Sequence, residues 1–299
     1  ANIEGNIITN NDGKIVMDNK ADKVTVNGTA IFNGSSKMTE GTLELKGDIE
    51  GQIYSSDMHI VVLSGIGDQS ISGNEDNDIH FNLLDINNSD SRTITVNNRV
   101  SVESSTTIDG KTLSLKCNES RNDKSYISFG KLNADKLVID GNVTLGSLDY
   151  KGSEITINGD LLGSNETILY KTKMNVNGNA TTGSPYCATT LNGSTINITG
   201  NYKHSGLLNM NNKNDNINVG GDLHLNATGS SIQNGTINVK GNIKLTKETI
   251  PFEGERFNFI GGGNTIILSG EDDVGIYGNE GNYGIIKIMN SEKRTVYTD

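Results

Sequence analysis

Carboxylate side chains are the leading candidates for chemistry in this chain, because they bind metal ions and transfer protons. Two acidic runs occupy equivalent places in an internal duplication described below: Glu75-Asp76 with Asp78, and Glu271-Asp272-Asp273. Several carboxylate oxygens close together suit Ca²⁺, whereas a turn exposed to water explains the same composition. The Gly-Gly-x-Gly-x-Asp nonapeptide of calcium-binding β-rolls is absent. A Ca²⁺ site at Glu271, Asp272 and Asp273 therefore stands as one hypothesis beside a solvated turn, and no other cofactor is expected.

Catalysis of glycan cleavage would require paired acids at a fixed separation in a groove. Glu40, Glu44 and Glu50 lie near one another, but the alternation of strand residues scatters carboxylates over any β-rich surface. We therefore assign no catalytic residue and expect the chain not to be an enzyme. A polysaccharide lyase or hydrolase remains the alternative.

Histidine spacing gives no metal motif. His59 and His80 are isolated, while His204 and His224 are 20 residues apart. Because this separation equals the repeat length found below, we expect the latter two in neighbouring coils, stacked on each other. His224 alternates with leucines and should face outwards.

Tyrosine spacing suggests a surface for sugars. Tyr150, Tyr170 and Tyr186 recur at intervals close to the repeat length, and an exposed row of rings would bind a glycan chain lengthwise. Tyr202 continues the spacing, but neighbouring repeats carry Leu or Ile at its position. We therefore expect Tyr202 in the core and the other three as candidate ligand-binding residues.

Cys117 and Cys187 are the only cysteines. The repeat register separates them by three or four coils, about 15 Å at the usual strand spacing. A disulfide requires Cα atoms within about 7 Å. We expect two free thiols.

A short pattern that recurs along the chain defines the elements that carry these residues. It reads apolar, polar, apolar, polar, Gly, Asn or Asp, apolar, and its alternation predicts strands with one buried face. The period leaves room for two or three short strands, which is too short for a βαβ unit. The sequence therefore predicts an all-β, right-handed parallel β-helix (β-solenoid) with coils of about 18–22 residues. Clear copies occupy Val24–Gly28, Leu43–Ile49, Leu137–Val143, Ile155–Leu161, Met174–Ala180, Ile196–Tyr202, Ile217–Leu223 and Ile237–Ile243.

The invariable part of the pattern predicts the turns. We expect each glycine to take a positive or crowded φ where the coil bends, and the residue after it to stack on its counterpart in an amide ladder. In this ladder each Asp lies between two Asn, which avoids stacked like charges. The turn glycines are Gly141, Gly159, Gly178, Gly200, Gly221 and Gly241, and the ladder residues are Asn142, Asp160, Asn179, Asn201, Asp222 and Asn242.

A longer duplication lies above the single coil. His59–Gly65 matches Asn264–Gly270, and Ile86–Thr95 matches Ile288–Tyr297. This predicts a solenoid module at 1–100 that ends in a closing segment, and a longer module at 101–299 that ends in a similar one. One continuous solenoid is the alternative. Since neither end carries an evident cap, we expect a piece of a longer array whose open ends self-associate.

Composition excludes several classes of function. The net charge of −11 disfavours nucleic acid, whose phosphates need Lys and Arg. No apolar run of 18 residues occurs, so we expect no membrane insertion. Only 33% of the chain is hydrophobic, which suits the thin core of a repeat protein.

The repeats also resemble those of a known group of proteins. Asn201–Met210, Ile217–Leu223 and Thr265–Gly270 look like repeats in large secreted or surface proteins of clostridia and related Gram-positive bacteria, similar in style to filamentous-haemagglutinin-type shafts. The cellulose-binding tapirins are a more remote comparison. The resemblance implies a secreted or cell-surface module that is structural or adhesive, with a glycan or host-surface ligand. A polysaccharide-binding or polysaccharide-cleaving β-helix remains the alternative.

Overall fold

The computed structural model describes residues 1–299 except 11, 35, 74–78, 119–124, 164, 184–186, 227–230, 247–262, 278–283, 290–291, 293 and 299. The described residues form parallel strands and one 3₁₀ turn, Ser89–Ser91. They divide into two compact units, Ala1–Asp149 and Tyr150–Asp299. The predicted module boundary at residue 100 concerns the sequence duplication and stays a prediction.

Unit 1 is a parallel β-solenoid in which two or three strands make each coil. Strands β4, β5 and β6 form one coil, for example, and β7 begins the next by pairing with β4. The strands are β1 Asn2–Ile3, β2 Ile7–Thr9, β3 Ile15–Met17, β4 Lys23–Val26, β5 Ala30–Phe32, β6 Ser36–Met38, β7 Thr42–Leu45, β8 Ile49–Gly51, β9 Ile60–Leu63, β10 Gln69–Gly73, β11 Ile79–Ile86, β12 Thr93–Asn97, β13 Arg99–Ile108, β14 Thr112–Asn118, β15 Ser125–Ser128, β16 Gly130–Asn133, β17 Lys136–Asp140, β18 Val143–Leu145 and β19 Leu148–Tyr150, which contains the division between the units.

Unit 2 is built in the same way. Strands β23, β26, β29 and β32 stack in register on one side of its coils. Its strands are β20 Glu154–Asn158, β21 Leu161–Gly163, β22 Thr167–Tyr170, β23 Lys173–Val176, β24 Ala180–Thr182, β25 Ala188–Asn192, β26 Thr195–Ile198, β27 Tyr202–Ser205, β28 Leu207–Met210, β29 Asn216–Val219, β30 Leu223–Asn226, β31 Ser231–Ile232, β32 Thr236–Val239, β33 Ile243–Thr246, β34 Thr265–Leu268, β35 Val274–Tyr277, β36 Ile285–Ile288 and β37 Val296–Thr298.

The apolar positions of the repeat fill the interior of each unit. In β29, Ile217 and Val219 are buried, while Asn216 and Asn218 lie on the outer face. Ile217 stacks on Ile196 in one neighbouring coil and on Ile237 in the other. A thin column of stacked Ile, Val and Leu therefore takes the place of a globular core, and the all-β parallel solenoid predicted from the repeat is confirmed.

Coil length varies more than the repeat suggests. In unit 1 the paired residues Met38 and Ser55 are 17 apart, whereas Val100 and Ile127 are 27 apart. In unit 2 the range runs from 19 to 33, the latter between Ile243 and Ile276. In both of the longest intervals many of the added residues, at 119–124 and 247–262, lie outside the described part of the chain.

Candidate functional site

The turn residues of unit 2 form a ladder that combines the expected side-chain amide bonds with bonds from the backbone. The side-chain amides of Asn179 and Asn242 donate to Asp160 and Asp222, at 3.4 and 3.2 Å. The backbone N–H of Asn201 donates to Oδ1 of Asn179 (2.9 Å), and the N–H of Asp222 donates to Oδ1 of Asn201 (2.8 Å). The same bond joins Asn179 to Asp160 and Asn242 to Asp222, both at 2.7 Å. Since the side chain only has to accept a backbone proton, Asp and Asn serve equally well. Asn142, the remaining predicted member, lies in unit 1 after Gly141.

The ladder also explains the glycines before it. A Cβ on Gly221 would overlap Oδ1 of Asn201, and one on Gly200 would lie 2.5 Å from Oδ1 of Asn179. Among the six turn glycines, only Gly141 has φ in the left-handed region, at +111°. The positive φ is absent at the other five, whereas the crowding expected as the alternative is present at Gly178, Gly200, Gly221 and Gly241. At Gly221 and Gly200 the missing side chain makes room for the ladder oxygen of the preceding coil.

An amide ladder of the expected kind occurs one strand earlier, on the outer face of unit 2. The side-chain amide of Asn197 donates to Oδ1 of Asn175 (2.9 Å), and that of Asn218 donates to Oδ1 of Asn197 (2.8 Å). These side chains are half-buried between their neighbours. The abundant Asn thus ties successive coils together on the surface.

The predicted tyrosine row is not a continuous surface feature. Tyr150 is fully buried and donates from its hydroxyl to the carbonyl of Glu154 (2.9 Å), so its assignment as a ligand-binding residue is wrong. Tyr170 is 36% exposed, with Nζ of Lys151 5.2 Å from the ring centroid. Tyr186 lies outside the described residues. Tyr202 is buried in the core, as predicted.

A buried polar cluster lies inside unit 2. The Tyr202 hydroxyl and Nδ1 of His204 both contact Oγ1 of Thr182, at 2.8 and 2.9 Å. Burial lowers the pKa of His204 to about 4 against a smaller opposing effect of the Leu207 backbone, and burial raises the pKa of Tyr202 to about 12. Both groups are therefore neutral at physiological pH. His224 lies one coil away as predicted, but it pairs with Lys203 on the outer face and does not stack on His204.

The carboxylates of the hypothetical Ca²⁺ site are exposed. Glu271, Asp272 and Asp273 all lie in a solvent-facing turn, where Oδ1 of Asp273 accepts the N–H of Thr295 (2.6 Å). Asp68 accepts the N–H of Thr93 (2.7 Å) in the matching segment of unit 1. Across the described residues, no group of three or more His, Cys, Asp or Glu has metal-binding geometry. The acidic run at 75–78 lies outside the described residues.

One buried carboxylate, Asp215, resembles a catalytic acid only in its burial. Its oxygens accept the backbone N–H groups of Gly193 (2.6 Å), Ser194 (3.2 Å) and Asn212 (2.9 Å). Burial raises its pKa, and these hydrogen bonds oppose the rise. The geometry is that of a carboxylate that holds two turns together.

Ser101, His80 and Glu103 form a surface chain that sequence spacing did not indicate. Nδ1 of His80 lies 3.0 Å from Oγ of Ser101, and its Nε2 lies 3.4 Å from Oε2 of Glu103. The exposed ring of Tyr54 stacks on His80 with centroids 4.9 Å apart. The order of groups resembles that of a hydrolase triad. However, these three side chains lie on an open sheet surface. The backbone N–H groups there are used in hydrogen bonds between the paired strands.

Each closing segment contains a buried arginine that the sequence analysis did not single out. Arg92 donates to the carbonyl of Leu63 (2.6 Å) and to Gln69. Arg294 donates to the carbonyls of Gly270 (2.7 Å) and Leu268. Since Leu63 and Leu268 occupy matching positions of the duplication, the two segments share one internal support. Arg92 and Arg294 occupy matching positions in the duplicated sequence, and this match was the signal that could have identified them.

Both cysteines are free thiols, as expected, and they differ in environment. Cys117 is buried, and burial raises the pKa of its thiol to about 12, with a hydrogen bond from Ser125 acting in the opposite direction. Cys187 is half-buried. Cys117 is therefore protonated and unreactive in the folded chain.

Comparison with protein-family models, curated proteins and solved structures gave no match. The resemblance to surface repeats of Gram-positive bacteria stays a prediction. The described residues contain no helix that is long and apolar enough to span a membrane.

Proposed function

We propose that this chain is a non-catalytic structural and adhesive module of a larger bacterial protein that is secreted or held at the cell surface. The coil-to-coil ladder of unit 2 carries the proposal. Sheet hydrogen bonds, the turn ladder from Asp160 to Asn242 and the amide ladder from Asn175 to Asn218 all join successive coils. Such redundancy makes a regular scaffold that displays outward side chains at intervals of about 4.8 Å.

Binding without turnover is the test of this function. The purified chain is incubated with a glycan array and with insoluble polysaccharides, and both retention and released sugars are measured. We expect retention with no new reducing or unsaturated ends. Release of such ends would overturn the non-catalytic part, and failure to bind any glycan or host-cell surface would overturn the adhesive part.

The surface chain at Ser101 permits a sharper test of the absence of catalysis. A fluorophosphonate probe labels serines that a neighbouring base activates. We expect no more labelling of the wild type than of Ser101→Ala, with Ser105→Ala, another half-buried strand serine, as the matched control. Labelling that Ser101→Ala alone abolishes would support the enzymatic alternative.

The location is tested on intact cells of the source organism. Antibody against the purified chain should bind unpermeabilised cells or detect the protein in culture medium. Signal only after lysis would contradict a secreted or surface location.

A further inference from the structure

Tyr277 forms a flat aromatic surface on unit 2. In β35, Val274 and Ile276 are buried in the core, so strand alternation places Gly275 and Tyr277 on the outer face. Gly275 is also buried there. A Cβ on Gly275 would overlap the Tyr277 ring, so the ring lies back across the glycine, and it is 40% exposed. Tyr297 pairs with Gly275 in the next coil and is 54% exposed. A ring that lies against a sheet presents its face to solvent.

A column of basic side chains leads to this ring. Lys203 pairs with His224, His224 pairs with Lys244, and Lys244 pairs with Tyr277. All four are on the outer face, at about 4.8 Å per coil, and both lysines are exposed. Within the described part of the chain, neither lysine forms an ion pair.

This column is electrostatically unfavourable on its own. The two lysines lie two coils apart, about 9.6 Å, and a proton on His224 between them would place like charges on directly paired strands, which repel. The pKa of His224 is lowered, first by partial burial and then by Lys244 and Lys203. The chain carries 36 acidic and 25 basic residues, so a row of cations runs against its overall charge. An anionic partner would relieve this repulsion.

The two features together define a chemical class of ligand. An aromatic face packs against the apolar face of a sugar ring, and ammonium groups bind carboxylates. A neutral glycan would use the tyrosines alone. A nucleic acid would use both features, but a duplex carries one phosphate per about 1.7 Å, a density that two lysines about 9.6 Å apart do not match.

We propose that Tyr277, with Tyr297 beside it, and the column Lys203, His224 and Lys244 bind an acidic polysaccharide whose carboxylated sugars lie along the coils. This inference extends the adhesive part of the proposed function, since it names the surface and the class of ligand.

The test uses polygalacturonate and its methyl ester, which differ only in whether the carboxylates are free. We expect the wild type to bind polygalacturonate at least about tenfold more tightly than the ester, with an affinity that falls as salt rises. The double variant Lys203→Gln/Lys244→Gln should lose about tenfold in affinity for polygalacturonate, because two ammonium groups that bind carboxylates are removed. The matched control Lys173→Gln/Lys240→Gln removes two exposed lysines from another side of unit 2 and should bind like the wild type.

The aromatic contribution is separated by substitutions at one position. Tyr277→Ala should weaken binding by about tenfold, and Tyr277→Phe should retain it because the ring face is kept. Gly275→Ala should also weaken binding, since its methyl group displaces the ring. Circular dichroism identifies any variant that has not folded. If Gly275→Ala does not fold, the comparison of Tyr277→Phe with Tyr277→Ala decides whether the ring face contributes to binding.

Protonation provides a second readout. His224 faces Lys203 and Lys244 on the adjacent strands, and Asp222 precedes it by two residues on its own chain segment. A bound carboxylate favours the charged imidazole, so affinity should rise as the pH falls from 8 to 5. His224→Gln should flatten this profile.

Three results would overturn the inference. They are equal binding of polygalacturonate and its ester, equal losses in the two double-lysine variants, and binding of single-stranded DNA as tight as that of polygalacturonate. If the chain still binds other glycans on the array, the adhesive function stands and only this surface assignment fails.

Discussion

The contact between Gly221 and Asn201 tests how the repeat motif works. The backbone φ of Gly221 is outside the left-handed region, so alanine can adopt it. Its Cβ, however, would overlap Oδ1 of Asn201, while the backbone of Gly200 is 3.1 Å away. Overpacking of this kind costs about 1–3 kcal/mol. We expect Gly221→Ala to reduce the free energy of unfolding by about 2 kcal/mol.

A second substitution should remove most of this cost. Asn201→Ala deletes the side-chain oxygen that accepts the Asp222 N–H at 2.8 Å in an exposed turn. This loss should reduce the free energy of unfolding by about 1 kcal/mol. In that background the methyl group of Gly221→Ala meets only tight backbone contacts. Alanine also restricts the unfolded chain, which stabilises the fold by about 0.4–1 kcal/mol. Gly221→Ala should then be nearly neutral, with a coupling energy of about 2 kcal/mol between the two positions.

Local stability is the appropriate measurement, because a repeat protein need not unfold in one step. Native-state amide exchange in β29 and β30 reports it, with about 1.4 kcal/mol for each tenfold change in protection. Gly5→Ala, where nothing lies within 4 Å of the added Cβ, controls for the loss of a glycine and is read by amide exchange in β1 and β2 beside it. If Gly221→Ala costs the same in both backgrounds, steric accommodation of the ladder is not the reason for the glycine.

Three further predictions concern buried groups. The pKa of His204 falls from about 6.5 in the unfolded chain to about 4 in the fold, so stability should be full above pH 6.5 and should decline as the pH falls towards 4. The loss of unfolding free energy is about 3 kcal/mol. Denaturant titrations at pH 7 and pH 4 should show this loss in the wild type and not in His204→Gln. Equal losses in the two proteins would contradict the prediction. Cys187 should react with a thiol reagent in the folded protein and Cys117 only after unfolding, because burial raises the pKa of the Cys117 thiol to about 12; similar rates by mass spectrometry would refute this. Arg92→Met and Arg294→Met should each weaken only their own unit, by about 3 kcal/mol, as seen by amide exchange in β9 and β34. If one of the two variants weakens its unit and the other does not, the two segments are not equivalent.

Residue alternation was enough to predict the fold and most of the interior. The tyrosines show where the prediction from spacing failed. Tyr150 shares its strand face with buried Leu148, whereas Tyr170 follows buried Leu169 and therefore points outwards. The period places residues in successive coils, but only the local alternation decides whether a side chain faces the core. That signal was present in the sequence.

Long-range contacts explain what spacing could not predict. The ladder oxygen that displaces a Cβ from Gly221 belongs to Asn201 of the previous coil, and no local pattern indicates whether a side-chain oxygen or amide nitrogen faces the next turn. The surface chain of His80, Ser101 and Glu103 likewise depends on the pairing of β11 with β13. Both features follow from register between coils.

The repeat motif specifies a strand, a turn and a strand, but not the side of the coil on which they lie. In unit 1 the copy at Val24–Gly28 leads from β4 to β5, and the copy at Leu137–Val143 leads from β17 to β18. Yet β17 belongs to the same sheet as β5, not β4. The sides of a coil are similar enough in length for the same motif to fit any of them, so turns of unequal length can shift it from one side to another.

The position of the motif on the coil does not vary where consecutive copies lie on the same side. Lys203, His224 and Lys244 each lie two residues after a ladder residue, namely Asn201, Asp222 and Asn242. The bonds from the Asp222 N–H to Asn201 and from the Asn242 N–H to Asp222 hold the three turns in register, and the column of basic side chains follows from that register. The ladder that stabilises the scaffold therefore also aligns the proposed binding surface, although none of its side chains needs to touch the ligand.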